Sequence, residues 1–126
     1  MYLPEDAAVR KFKRAVQLAA RMTYKGEPLQ GPLSIDIVAV YQRPKSLCWK
    51  TKPMPREWKS SMPDNDNVEK AVWDALKGIT WKDDAQIADN RCRKLIADGS
   101  ESPHLVVVIK PIVETKNSYE QQGTLF

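Results

Sequence analysis

Asp64, Asp66, Asp74, Asp83 and Asp84 fall in one short stretch of the chain, with Lys70 among them. Carboxylates crowded together repel one another and stabilise nothing unless a cation neutralises them. A hard divalent ion such as Mg²⁺ takes oxygen ligands and keeps several waters, so two or three carboxylates suffice to hold it. An ion held in this way activates water and offsets charge on a phosphate in transfer. A lysine nearby can hold the same phosphate or stabilise the charge that develops on it. A plainer reading makes Asp64 and Asp66 helix-start residues, since acids favour helix N-termini, and Asp83–Asp84 a solvated turn. It accounts for any one of these aspartates better than for the whole set with Lys70. A helix-loop-helix calcium site is excluded. It needs an acid or Asn at its fifth position and Gly at its sixth, and counting from Asp64 those places hold Val68 and Glu69.

The elements that must position these residues can be read from periodicity. Val68, Ala71, Val72, Ala75 and Leu76 recur at helical spacing and mark one apolar face. Asp66 and Asn67 stand just before that pattern as expected caps, and Gly78 ends it. Lys70 and Asp74 follow Asp66 along one side of the helix, so they can pair across one turn. Asp83 and Asp84 then open a new segment.

The blocks Pro63-Asp64-Asn65-Asp66-Asn67-Val68-Glu69-Lys70, Asp74-Ala75-Leu76 and Asp83-Asp84-Ala85-Gln86-Ile87 resemble the signature of the RusA family of Holliday junction resolvases. That signature is D-x-D-N-hydrophobic-x-K, a D-A-L on the same helix, and D-D-x-Q-hydrophobic after a short loop. All three parts match in order and spacing, and the resemblance extends from the N-terminal helix to the strand near residue 110. It implies a homodimeric, Mg²⁺-dependent endonuclease, with Mn²⁺ as a substitute, that nicks two strands of four-way junction DNA symmetrically. It also implies the residues: Asp64, Asp66, Lys70 and Asp84 as the catalytic set, with Asp64, Asp66 and Asp84 as metal ligands. Asp83 and Asp74 are matched positions to which the resemblance assigns no definite role. Two departures are expected to matter. A strand with basic residues usually precedes the family's first helix, and this chain starts at Met1-Tyr2-Leu3, so that strand is expected to be missing and a sheet edge open. A basic residue commonly stands just before the first acid, where this chain has Met62 and Pro63.

Composition agrees with a nucleic-acid partner without requiring one. The 126 residues carry a formal charge of +4 and suit one domain with a small core. Residues 1–62 hold twelve Lys/Arg against five Asp/Glu, whereas residues 63–126 hold eight against eleven. A basic half beside an acidic half suits an enzyme that grips phosphates and cuts them, although solvated charge is the ordinary reading of any one such run. No apolar run is long enough to span a membrane and no signal peptide is visible, so a cytoplasmic protein is expected. Cys48 and Cys92 fit no metal spacing and read as reduced thiols. The single histidine, His104, reads as structural.

In order, residues 4–22 read as a helix with Val9, Phe12, Val16, Ala19 and Ala20 on its buried face. Leu33 to Tyr41 alternates as a strand. Gln42 to Met62 reads as a long irregular loop, broken by Pro44, Pro53 and Pro55. Its cations Arg43, Lys45, Lys50, Lys52, Arg56 and Lys59, interleaved with Trp49 and Trp58, are expected to bind DNA, as a flexible arm with ring faces for exposed bases. A surface loop with its tryptophans tucked inward is the alternative. Gln86 to Ile96 is a strand, Asp98–Ser100 a turn, and Leu105 to Val113 a second strand antiparallel to it. The expected fold is α/β, or α+β, a small mixed sheet with two helices over residues 1–113. Residues 114–126 form a polar tail expected to be disordered. Its end, Gln122-Gly123-Thr124-Leu125-Phe126, resembles the Q-x-x-L-F peptide that docks in the bacterial sliding clamp, with Gln122, Leu125 and Phe126 as anchors. The reading is a Mg²⁺-dependent junction resolvase of recombination and repair. The alternative is a flap- or fork-directed or catalytically silent DNA-binding accessory tethered to the clamp.

Overall fold

Leu33, Ile35, Ile37 and Ala39, buried on one side of residues 33–41, build the strand on which the rest of the fold is laid. The computed structural model describes residues 7–113. In chain order the elements are helix α1 (Ala7–Thr23), strand β1 (Leu33–Tyr41), strand β2 (Glu57–Trp58), helix α2 (Asn65–Leu76), strand β3 (Ile87–Ile96) and strand β4 (His104–Pro111). Short 3-10 turns occupy Lys45–Leu47 and Asp84–Gln86. Two helices on a four-stranded mixed sheet make the α+β class expected from sequence.

The sheet order is β2-β3-β1-β4. β1 is parallel to β3, from Leu33 beside Ile87 to Tyr41 beside Ile96, and antiparallel to β4, from Leu33 beside Pro111 to Val40 beside His104. The strands β3 and β4 do run in opposite directions, but β1 lies between them. The most apolar strand takes a central place, where both of its edges are hydrogen-bonded. Parallel β1 and β3 need a long crossover, and α2 lies within it. The core cluster joins Leu33, Ile35, Ile37 and Ala39 of β1 to Ala20 of α1, to Val68, Val72 and Leu76 of α2, and to Trp81. Both helices therefore cover one face of the sheet, and among the described residues the other face carries none.

Helix α2 begins one turn earlier than its apolar pattern suggested. Asp64 is the N-cap, and Asp66 and Asn67 lie in the first turn. The helix ends where expected: Gly78 has φ 89°, a left-handed conformation open to a residue without Cβ. Asp74 does not pair with Lys70. It accepts from Lys13 Nζ of α1 at 3.1 Å, which ties the two helices together. Among the described residues no helix is long and apolar enough to cross a membrane. The clamp-type residues Gln122, Leu125 and Phe126 lie outside the described residues.

Candidate active site

The start of α2 is pinned to the neighbouring strand. Lys94 Nζ on β3 donates to the carbonyls of Ser61 at 2.8 Å and Pro63 at 2.6 Å. The backbone N–H of Lys59 donates to the Lys94 carbonyl at 3.0 Å, and Asn65 Nδ2 donates to the Cys92 carbonyl at 3.0 Å. Asn65, at the variable position between the two acids, thus fastens the helix start to β3. Asp64 has extended backbone and makes no side-chain capping bond. Asp66 Oδ1 accepts from the Asn67 N–H at 3.0 Å. Both acids are exposed, as is Lys70 one turn further on. Among the described residues none of the three is in an ion pair.

The second acidic block divides its labour. Asp83 caps the 3-10 turn, its side chain accepting from the Ala85 N–H at 2.9 Å. Gln86 completes the reciprocal box: its Oε1 accepts from the N–H groups of Lys82 and Asp83, both at 3.1 Å. Its Nε2 donates to the carbonyls of Leu29 at 2.9 Å and Gly31 at 3.0 Å, which ties the turn to the loop before β1. Asp84 is then held by Trp81, which is fully buried and donates from Nε1 to Asp84 Oδ1 at 2.8 Å. One carboxylate oxygen of Asp84 is oriented from within the core. Trp81 lay outside the motif blocks, and Gln86 stood in one without an assigned role; the structure shows both holding the turn that carries Asp84. The D-x-x-Q spacing of a capping box was a visible signal for Gln86, whereas nothing local in the sequence marked Trp81.

The structure does not gather Asp64, Asp66 and Asp84 into one metal-holding group. Among the described residues no three His, Cys, Asp or Glu side chains stand close enough to hold an ion. Carboxylates with no cation between them repel, and Asp84 is turned toward Trp81. The donors themselves suit a hard cation. Asp64 and Asp66 are exposed oxygen ligands, and two carboxylates plus waters are enough for Mg²⁺. Cys92 beneath the helix start is a poor metal ligand: burial, then the charge of Glu69, pushes its thiol up to about 11.

The basic stretch is less irregular and less available than the sequence suggested. Arg43, expected on DNA, is 5 % exposed. Its guanidinium donates to the carbonyls of Leu47 at 2.7 Å, Pro55 at 2.9 Å and Ala97 at 3.4 Å, and pairs with Glu57 at 2.8 Å. Arg43 is corrected to a staple of the loop, a task its planar fork of donors suits. Arg56 is bound through two nitrogens to Glu101. Lys52 lies over the ring of Trp49 and Lys59 over that of Tyr41. Lys45 and Lys50 are exposed. The strand β2 was masked by its flanking prolines and its length of two residues.

Exposed acids at the head of a crossover helix, with a lysine one turn along, meet what an oxygen-ligand cation and a phosphodiester both need. This is an arrangement that an α+β nuclease can use. Residues 1–110 match the family model described as Endodeoxyribonuclease RusA, and the chain belongs to that family. It is also similar to YqaN of Bacillus subtilis (strain 168), described as an uncharacterized protein. The two are 30% identical over 117 residues, which cover 89% of this chain and 80% of YqaN.

Proposed function

We propose that this protein is a Mg²⁺-dependent endodeoxyribonuclease that resolves four-way DNA junctions by paired, symmetric nicks. The observation that carries the reading is the unpaired set Asp64, Asp66 and Lys70 at the pinned start of α2, in a chain of the RusA family. Asp64, Asp66 and Asp84 would hold the ion, which when bound supplies an activated water and offsets phosphate charge. Lys70 holds the scissile phosphate and stabilises the negative charge that gathers on its oxygens. Trp81 keeps Asp84 oriented, so less conformational freedom is lost when the site is assembled. A two-fold symmetric junction calls for a two-fold symmetric enzyme, so the active form is a homodimer with one acidic set per strand to be cut. Residues Gln122, Leu125 and Phe126 dock in the sliding clamp and serve recruitment, not chemistry.

The test is cleavage of a mobile four-way junction, with a linear duplex and a flap beside it, in Mg²⁺ and in EDTA. Paired nicks on the junction alone, lost in EDTA, are expected. Asp66→Asn should keep DNA binding and lose cleavage by orders of magnitude; a variant that cuts normally removes Asp66 from the mechanism. Binding without cutting under every metal supports the second reading, a silent or flap-directed accessory. What favours that reading is the absence of a gathered three-acid group among the described residues. Deleting residues 117–126 should abolish clamp binding and leave cleavage intact.

A further inference from the structure

Of the four tryptophans, three are built into the protein. Trp81 is buried under Asp84, and Trp73 packs against the core cluster. Trp49 lies under the guanidinium of Arg43, 5.3 Å from its centroid, and the ammonium of Lys52, at 5.7 Å. Its Nε1 donates to the Pro53 carbonyl at 3.2 Å. Trp58 is 70% exposed. An indole left in water on a strand of two residues gives up the largest apolar burial any side chain can offer, and adds nothing to the core. Met62, four residues on, is 69% exposed as well.

The backbone beneath Trp58 is nevertheless fixed, and fixed to the same strand as the acids. Trp58 pairs with Leu95 of β3. Lys59 bonds to the Lys94 carbonyl, Lys94 holds the carbonyls of Ser61 and Pro63, and Asn65 reaches the Cys92 carbonyl. The link from Trp58 to Asp64 is thus tied down along its length. Its anchor points on β3, Leu95 and Cys92, are three residues apart, about 10 Å at the rise of a strand. Stacked bases step about 3.4 Å along one DNA strand, so the span corresponds to about three of them.

We infer that Trp58 is a stacking platform for an unpaired base of the DNA substrate, within about three nucleotides of the phosphate to be cut at the start of α2. This rests on the nuclease reading above and adds a source of selectivity to it. In linear duplex each base has both faces covered by its neighbours. At a branch point a base can leave the stack and lend a face to the indole. Stacking of this kind tolerates any base, since every base has a π-face. An exposed ring on a backbone fixed to the same strand as the acids therefore favours branched over linear DNA without reading sequence.

The test compares wild type, Trp58→Ala and Trp58→Phe. Binding to a four-way junction and to a linear duplex is measured in EDTA, and cleavage in Mg²⁺. Trp58→Ala should weaken junction binding about tenfold, with duplex affinity unchanged and Trp58→Phe retaining most of the junction affinity. A junction carrying 2-aminopurine beside the branch should be quenched on binding wild type and not on binding Trp58→Ala. Equal junction affinity of wild type and Trp58→Ala overturns the inference, as does an equal loss on junction and duplex. Unchanged DNA binding with an altered oligomeric mass also overturns it and assigns the ring to a protein contact. If wild type cuts the junction and Trp58→Ala binds it as well as wild type, the inference alone fails. If wild type neither binds nor cuts branched DNA, the nuclease reading fails and takes the inference with it.

Discussion

The basic stretch from Arg43 to Lys59 and the acidic stretch from Asp64 to Lys70 adjoin in the chain, but their charges meet opposite fates. Of the six cations in the basic stretch, Lys45 and Lys50 stay exposed, and the other four are engaged within the protein. Arg43 is spent on three carbonyls and Glu57, Arg56 on Glu101, and Lys52 and Lys59 lie over aromatic rings. The acids do the reverse. Asp64 and Asp66 remain exposed without a counter-charge, although the protein has cations to offer. Paired charge in the first stretch organises a loop, whereas unpaired charge in the second is held ready for something from outside the fold. Counting charges along a sequence cannot separate these two uses, because the difference lies in what each charge touches.

The largest effect should come from removing the staple. Arg43→Ala leaves Glu57 and three carbonyls without their donor, at a cost of about 3 kcal/mol in denaturant unfolding. Arg43→Lys should recover little of it, since one ammonium cannot replace the fork of donors. Unchanged stability would break the comparison at its basic end. Next comes Trp81→Phe, which keeps the buried ring and deletes the bond to Asp84. Junction cleavage should fall about tenfold, the worth of one hydrogen bond to a charged group, with the fold intact. Normal cleavage by this variant would show that Asp84 needs no positioning.

A smaller effect sharpens the contrast between the two stretches. Asp66→Asn in metal-free buffer should melt within about 0.5 kcal/mol of wild type, because the lost attraction to the helix N-terminus offsets the relieved repulsion from Asp64. A large destabilisation there would mean that Asp66 serves folding, as Arg43 does. The smallest effect depends on pH. The hydrogen bond from Arg56, then one from the Asp98 backbone, holds the Glu101 carboxyl at about 2, below its ordinary 4.5. A depressed value stabilises the fold above pH 4.5, and the contribution is lost as pH falls toward 2. The difference in melting temperature between wild type and Glu101→Gln should therefore shrink across that window. A difference that stays flat would remove Glu101 from the ties that close the loop.

Much of the frame was legible because it rests on local pattern. The alternation from Leu33 to Tyr41 marked β1 to the residue, and Gly78 marked the end of α2. The motif blocks marked the acids and Lys70 because their types are rare at that spacing. Long-range choices were not legible. Nothing near Leu105 says that its strand will pair with β1, not β3, since that depends on which strand is apolar enough to sit in the middle. Arg43 looks like any surface cation until Leu47, Pro55, Glu57 and Ala97 converge on it. The caps were expected at Asp66 and Asn67, and the N-cap is Asp64, because the apolar pattern that sets the expectation begins only at Val68.

Gln86 has no spare capacity. Its carbonyl oxygen accepts two backbone hydrogens and its two amide hydrogens go to two carbonyls. That makes the turn beside Asp84 sensitive to chemical ageing. Hydrolysis of this one amide would replace two donors with a carboxylate oxygen facing the carbonyls of Leu29 and Gly31. A protein that had lost no residue and broken no peptide bond would then release the turn that carries its third acid, so the working life of the site is tied to the lifetime of a single side-chain amide.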